Sequence, residues 1–346
     1  MATSGTTRVA YSEPEPLSIA VSQLVYPSVK VSWRPNAIIV FTGTDYRPVL
    51  PAVSLVHTPI NAAILYSASK SLSQEIMQEI WRLQPTGRNT PAQVFAVGPF
   101  EPEAINRLHQ LGLTTLFFEN KDPVLQSLHI AEWRRRVLPQ ANRQMILTNT
   151  FLVSLETMEE ALPVLGFSAH MGTPILYTHR NMLPELTSRF LQRESSRNVS
   201  IIGSDRTISA SVEETCRRIV KGTVERFSGD SPSDLAVLFA RLQSPKTGIG
   251  WGRNQPMKGD AFTFFPDQWE FGMIASTLSH MGKHTPLLPL QGDSLPQSYA
   301  HYLNYLRPRA REPKPPFMHA FLLGDMSQIS YATQVQIEDQ IMFKEK

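Results

Sequence analysis

Cysteine is nearly missing from this sequence, since Cys216 is the only one among 346 residues. An intrachain disulfide is therefore impossible, and a metal site would depend on other kinds of ligand. The chain also lacks any run of about 18 apolar residues, which a membrane-crossing helix needs. The sequence predicts no transmembrane segment, and the core must form from the 42% of residues that are hydrophobic.

Neither sign of charge is in large excess. Charged residues make up 18% of the chain, and the net charge at pH 7 is only +3. Domains that bind nucleic acid normally concentrate lysine and arginine in a strongly basic stripe or patch. A charge this small argues against nucleic acid as a partner.

Residues 1–16 lack the features of an export signal. The stretch MATSGTTRVAYSEPEP is polar and acidic, with neither the basic start nor the apolar centre of a Sec signal peptide. This predicts a cytoplasmic location. The cell envelope is the alternative, by a route in which a leader has been removed.

Motifs of the common enzyme classes are missing too. The sequence has no H-E-x-x-H pair for zinc and no G-x-S-x-G around a nucleophilic serine. Its one dense glycine cluster, residues 248–252, lacks the G-K-[ST] of a phosphate-binding loop and is interpreted as a flexible loop. We expect a non-catalytic protein without a cofactor or a bound metal.

An internal repeat dominates what is present. Three short apolar segments with one shared pattern begin at Ala63, Pro174 and Pro286, which are 111 and 112 residues apart. Each has a leucine nine positions after its start: Leu72, Leu183 and Leu295. A spacing this regular indicates tandem copies of one structural unit.

The surroundings of these segments repeat in the same order. A strand and a helix of small residues come before each one, and a helix, a strand ending in glycine, a further helix and an extended run follow. Continuous apolar strands separated by helices indicate parallel sheets covered on both faces. We predict an α/β fold of three tandem Rossmann-like parallel-sheet repeats, 17–120, 121–226 and 227–346, after an N-terminal arm (1–16). The third copy lacks an obvious final strand.

The second copy carries a family resemblance. Its segments PILYTHRNMLPEL (174–186), VSIIGSDRTISASVEETCRRI (199–219) and GTVERFSGDSPSDLAVLFARL (222–242) resemble the cell wall-binding repeat 2 family of Gram-positive surface proteins. The resemblance extends over about 17–341. It implies three domains packed in a pseudo-threefold arrangement, and attachment to the cell envelope through an anionic wall polymer.

The family's polar signature is incomplete in this chain. Its S-G-x-D-R-Y-x-T-A becomes SGDSPSDLA over residues 228–236, and the second glycine of its I-I-G-G is Ser204. Likeness of fold does not carry function across such losses. We therefore interpret the chain as a non-catalytic scaffold, an accessory subunit that binds protein partners in a larger assembly. Anchoring to an anionic wall polymer is the alternative.

A second alternative is that the chain binds an anion or a nucleotide at its strand-end loops, either as a binding protein or as an enzyme. Open α/β sheets bind such ligands where the carboxyl ends of the strands meet the next helices. The candidate residues follow the glycine-ended strands: Gly98, Gly203, Ser204, Arg206, Gly324 and Ser327.

Two basic segments are candidate contacts with a protein partner. The first lies on a predicted helix, and the second is a proline-rich connection of the kind that often carries binding residues. Their members are Trp133, Arg134, Arg135 and Arg136, and Arg307, Arg309 and Arg311.

Three histidines, His57, His170 and His280, occupy nearly equivalent positions in the three copies. One interpretation is that the three histidines meet on the threefold axis and hold a metal. The favoured interpretation is simpler: each histidine ends a helix, where the helix dipole stabilises it.

Overall fold

The computed structural model describes residues 5–27, 30–137, 149–193, 197–281, 283–308 and 318–342. The chain opens with strand β1 (Thr6–Val9), helix α1 (Pro14–Val25) and a 3-10 turn (Val31–Trp33). Strands and helices then alternate, as the sequence pattern predicts.

The first repeat contributes four strands and the helices between them. In chain order these are β2 (Ala37–Phe41), a 3-10 helix (Leu50–Val56), β3 (Ala62–Tyr66), α2 (Gln74–Leu83), β4 (Val94–Val97), α3 (Pro102–Gln110), β5 (Thr115–Phe118) and α4 (Pro123–Val137).

The second and third repeats follow the same plan. The second has β6 (Asn149–Ser154), α5 (Leu162–Met171), β7 (Ile175–Thr178), α6 (Glu185–Arg193), β8 (Asn198–Ile202), α7 (Ala210–Ile219), β9 (Val224–Phe227) and α8 (Pro232–Arg241). The third has β10 (Ala261–Pro266), α9 (Trp269–Ala275), a 3-10 helix (Ser276–Ser279), β11 (Leu287–Leu290), α10 (Gln297–Leu306), β12 (His319–Leu323) and α11 (Tyr331–Ile341).

The described strands form three parallel four-stranded sheets. Their strand orders are β3-β2-β4-β5, β7-β6-β8-β9 and β11-β10-β12-β1. The central strands are buried along almost their whole length, since helices cover both faces. The predicted fold class, three parallel-sheet α/β repeats with a threefold arrangement, is confirmed.

The strand missing from the third copy comes from the N-terminus. Strand β1 pairs in parallel with β12, with Thr6 opposite Ala320 and Val9 opposite Leu323. The predicted arm (1–16) thus contains part of the third sheet, which would otherwise end in an unpaired edge. Strand β9 likewise crosses the predicted boundary at 226 and 227.

A signal for this arrangement is present in the sequence. Helices α1, α4 and α8 begin at Pro14, Pro123 and Pro232, which are 109 residues apart at each step. Proline suits the first turn of a helix because the backbone N–H it lacks would have no partner there. The segment before Pro14 is therefore the counterpart of the strand that precedes each of the other two prolines.

The three proline-initiated helices join neighbouring repeats. Each follows the last strand of one sheet and packs on the next sheet: α1 on β3, α4 on β7 and α8 on β11. At the centre, the 3-10 helix 50–56, α5 and the α9 region pack on one another. Gly166 allows the close approach, because a Cβ there would lie 2.4 Å from Ser279 Oγ.

Within the described ranges, no helix combines the length and the apolar character that a membrane span requires.

Candidate functional site

The three strand-end glycines lie where the sequence analysis placed them. Gly98, Gly203 and Gly324 follow β4, β8 and β12 with φ of +111°, +126° and +136°. Residues that carry a side chain rarely adopt such φ angles. At Gly98 a Cβ would also lie only 2.4 Å from the backbone oxygen of Thr42. The glycines are therefore explained by the backbone geometry of the loops.

The loop of the second repeat already contains an anionic group. Glu160 accepts hydrogen bonds from the Ser204 backbone N–H (3.2 Å) and the Thr207 hydroxyl (2.5 Å). The carboxylate occupies the place that a bound anion would take. Beside it, the predicted Arg206 donates to the backbone oxygen of Asp230 at 3.4 Å.

The loop of the third repeat is closed in a similar way. Asp325 accepts from the backbone N–H and the hydroxyl of Ser327, at 2.8 and 2.6 Å. These hydrogen bonds, led by the one from the Ser327 hydroxyl, lower the pKa of the Asp325 carboxyl. Arg8 of β1 donates to the backbone oxygens of Gly324 and Asp325. Acidic side chains thus meet the donors at the predicted anion loops of the second and third repeats.

The loop of the first repeat borders a pocket of about 530 Å³. The predicted Gly98 lines this pocket, and the charged residues of its lining are Asp45, Lys70, Glu119 and Lys121. The two signs of charge balance one another. The pocket therefore has no clear preference for an anion.

A larger cleft, of about 1020 Å³, lies between the first and second repeats. It is formed by loops after β2, β6 and β7 together with the start of α4, at the carboxyl ends of the strands. Sequence reasoning missed this cleft, because it depends on how two repeats pack.

The charge of this cleft is mainly negative. Arg47 pairs with Asp45 at 2.8 Å and lowers the pKa of that carboxyl, mainly through the hydrogen bond. His179 Nδ1 lies 2.8 Å from Glu156. Four carboxyl groups line the cleft, against Arg47 and His179: Asp45, Asp122, Glu156 and Glu185. Such a surface disfavours a polyanion.

The first basic segment does not form the surface patch that the sequence suggests. Trp133 packs edge-on against Phe95, with ring centres 4.9 Å apart. Arg134 is fully buried and donates to the backbone oxygens of Gly172 (3.0 Å) and Thr58 (3.1 Å). The prediction that Arg134 contacts a partner is therefore wrong, because helix α4 turns its side chain into the interior.

The other basic residues differ in position. Arg135 and Arg136 lie towards solvent and bond Glu132, which lowers the pKa of that carboxyl to about 2, chiefly through the Arg135 hydrogen bond. Arg307 donates to the backbone oxygen of Met342. The predicted Arg309 and Arg311 lie outside the described residues.

The repeated histidines do converge, at the end of the central helices. The rings of His57 and His280 are 5.4 Å apart, and those of His170 and His284 are 4.7 Å apart. Burial is the main cause that lowers the pKa of His57 to about 3 and that of His170 and His280 to about 4. Among the described residues no group of three or more His, Cys, Asp or Glu is placed to hold a metal.

Comparison with known proteins supports the architecture more than the sequence family. No family model matches the chain. Two solved structures from Clostridium difficile are similar in fold. Cwp8 matches 97% of this chain with a TM-score of 0.71 and 19% identity, and Cwp6 matches 99% with a TM-score of 0.75 and 14% identity.

One curated relative is similar in sequence. The amidase enhancer of Bacillus subtilis (strain 168) is 33% identical over 102 residues, which is 29% of this chain and 14% of that protein. The chain spans about half the length of the two structures, 52% of Cwp8 and 48% of Cwp6.

Proposed function

We propose that this chain is a non-catalytic binding module of the cell envelope. The observation that carries the proposal is the closed arrangement of three sheets, which resembles Cwp8 and Cwp6 over nearly the whole chain. A threefold arrangement of this kind is also what the resemblance of the second copy to the cell wall-binding repeat 2 family implies. The partial likeness to an amidase enhancer points in the same direction.

The loops give independent support for a binding role without catalysis. Two of the three sites at which Rossmann-like sheets usually hold a reactive anion or nucleotide are engaged by Glu160 and Asp325 of the chain itself. A protein that uses its fold as a rigid framework needs these loops to be closed and stable. The family resemblance of the second copy and the fold likeness to Cwp8 and Cwp6 make the cell envelope the location that we favour over the cytoplasm.

Cosedimentation with purified Gram-positive cell walls tests the proposal. We expect the full chain to pellet with walls in a saturable manner and to release no soluble wall fragments. Pelleting no greater than that of an unrelated protein of similar charge would contradict wall binding, and release of fragments would contradict a non-catalytic role.

The scaffold interpretation, in which the chain is an accessory subunit of a protein assembly, makes a different prediction. A stable complex should then survive purification of the native protein at low salt. If the chain pellets with walls and purifies alone, wall binding is the better description.

A further inference from the structure

A second concave surface lies on the first repeat, at the amino-terminal edge of its sheet and away from the cleft. This groove measures about 530 Å³ and is formed by the turn at 31–34, the end of α2 with the loop after it, and the end of α3. Trp81 stands at its side with 66% of the residue exposed. Tryptophan seldom remains this open to water, because its large apolar ring gains free energy on burial.

The fold itself does not require tryptophan at this position. Trp81 lies 18 residues after the start of its repeated segment, and the corresponding residues of the other copies are Gln192 and Asn304. Both lie on the equivalent helices, α6 and α10. A polar side chain is thus accepted at this point of the same framework, so the ring of Trp81 needs another explanation.

The walls of the groove are held rigidly. The loop after α2 is hydrogen-bonded to the residues that precede β2. Thr86 N–H donates to Pro35 O (3.0 Å), and Gly87 N–H donates to Asn36 O (2.9 Å). Helix α2 is tied to α1 because Glu79 accepts from the Ser22 hydroxyl at 2.6 Å. A ligand would therefore enter a surface that is already formed, which lowers the entropic cost of binding.

The composition of the groove favours a flat, polar ligand that accepts hydrogen bonds. Val31, Leu111 and Leu113 give it apolar surface, and the amide of Gln84 and the guanidinium groups of Arg34 and Arg88 are hydrogen-bond donors along its lining. No carboxylate stands among its lining residues. Sugar rings fit this set, since their C–H faces stack on an indole ring while their hydroxyl and acetamido oxygens accept hydrogen bonds.

The size argues in the same direction. A volume of about 530 Å³ falls within the usual range for small ligands. A stable protein partner would need on the order of 800 Å² of surface on each side.

We propose that the groove beside Trp81 binds the sugar rings of an N-acetylated wall glycan, with one ring stacked on Trp81. The proposal rests on the envelope role given above and names the part of the wall that this surface recognises. It is separate from attachment through an anionic polymer.

Titration of the full chain with chitotetraose, followed by calorimetry, tests the site directly. We expect saturable binding that weakens at least tenfold in Trp81→Ala and stays within about threefold in Trp81→Phe, which keeps an aromatic face. Tyr331→Ala is the matched control, because Tyr331 is 60% exposed on a different repeat and should not affect binding. Absence of binding by the native chain, or equal binding by Trp81→Ala, would overturn the proposal.

Cosedimentation with walls separates this site from the broader function. Walls should be used intact and after acid removal of their anionic polymers, with native chain and Trp81→Ala in parallel. Weaker pelleting of Trp81→Ala on both kinds of wall supports the groove. Equal pelleting of the two proteins overturns the groove and leaves the envelope role standing, whereas no pelleting by either contradicts the envelope role itself.

Discussion

Arg134 holds neighbouring repeats together from a fully buried position. Its guanidinium donates to a backbone oxygen of the first repeat, at Thr58, and to one of the second, at Gly172. Burial lowers the pKa of this arginine to about 9, and the group still carries its charge at neutral pH. Arg135 and Arg136 look the same in the sequence, yet they lie towards solvent. Only the packing of α4 separates the three, which is why the sequence could not.

Replacing Arg134 with alanine should lower the free energy of unfolding by about 2–3 kcal/mol. The change removes both hydrogen bonds, leaves the buried backbone oxygen of Gly172 without this donor, and opens a cavity between repeats. Chemical denaturation measures the effect. Arg136→Ala, whose side chain is 72% exposed on the same helix, should change the free energy by less than about 1 kcal/mol. Similar losses in both variants would contradict the role assigned to Arg134.

Gly98 and Gly112 offer a matched test of the strand-end loop. Both have positive φ, but a Cβ at Gly98 would meet Thr42 O at 2.4 Å, whereas at Gly112 nothing lies within 4 Å. Gly98→Ala should cost about 3 kcal/mol or more through strain and collision, and Gly112→Ala about 1 kcal/mol through strain alone. Thermal denaturation of the two variants decides, and equal melting temperatures would count against this account.

At the scale of elements, the sequence pattern predicts strands and helices well and long-range partners poorly. The apolar runs identify β2, β6 and β10 because strands covered on both faces must be apolar throughout. The strand-end glycines were likewise placed correctly. That Glu160 fills the loop after β8 could not be predicted, since 44 residues separate it from Ser204. The inter-repeat cleft was missed for the same reason.

Strand β1 gives the clearest prediction at this scale. Deleting residues 1–10 should expose the edge of β12 and remove the Arg8 bonds to Gly324 and Asp325. We expect faster amide hydrogen exchange in 319–323 and a lower melting temperature, with β7 in the second sheet little changed. Unchanged exchange in β12 after the deletion would show that β1 contributes little.

At the scale of the whole molecule, the histidine cluster makes the packing of repeats sensitive to acid. His57, His170 and His280 come from three different repeats, and the charged groups that act on them are Arg134, Arg253 and His284, all basic. Protonation would place like charges together at the junction.

Stability should therefore fall as the pH decreases from about 6.5 towards about 4. The pKa of each histidine is lower in the folded chain, so the unfolded chain binds more protons in this window. We expect a loss on the order of 1 kcal/mol for each histidine between pH 7 and pH 5. Melting curves across this range measure it, and His280→Gln should show a shallower dependence. An identical slope in that variant would argue against the cluster.

The pairing of β1 with β12 also has a consequence for synthesis. Thr6 leaves the ribosome more than 300 residues before its partner Ala320. Strand β1 therefore waits until β12 of the third repeat has been made, and contacts of such long range form slowly. During translation the first and second sheets have all their strands before the third can be completed, and β1, which is made before β2 to β12, is the last of these strands to be paired.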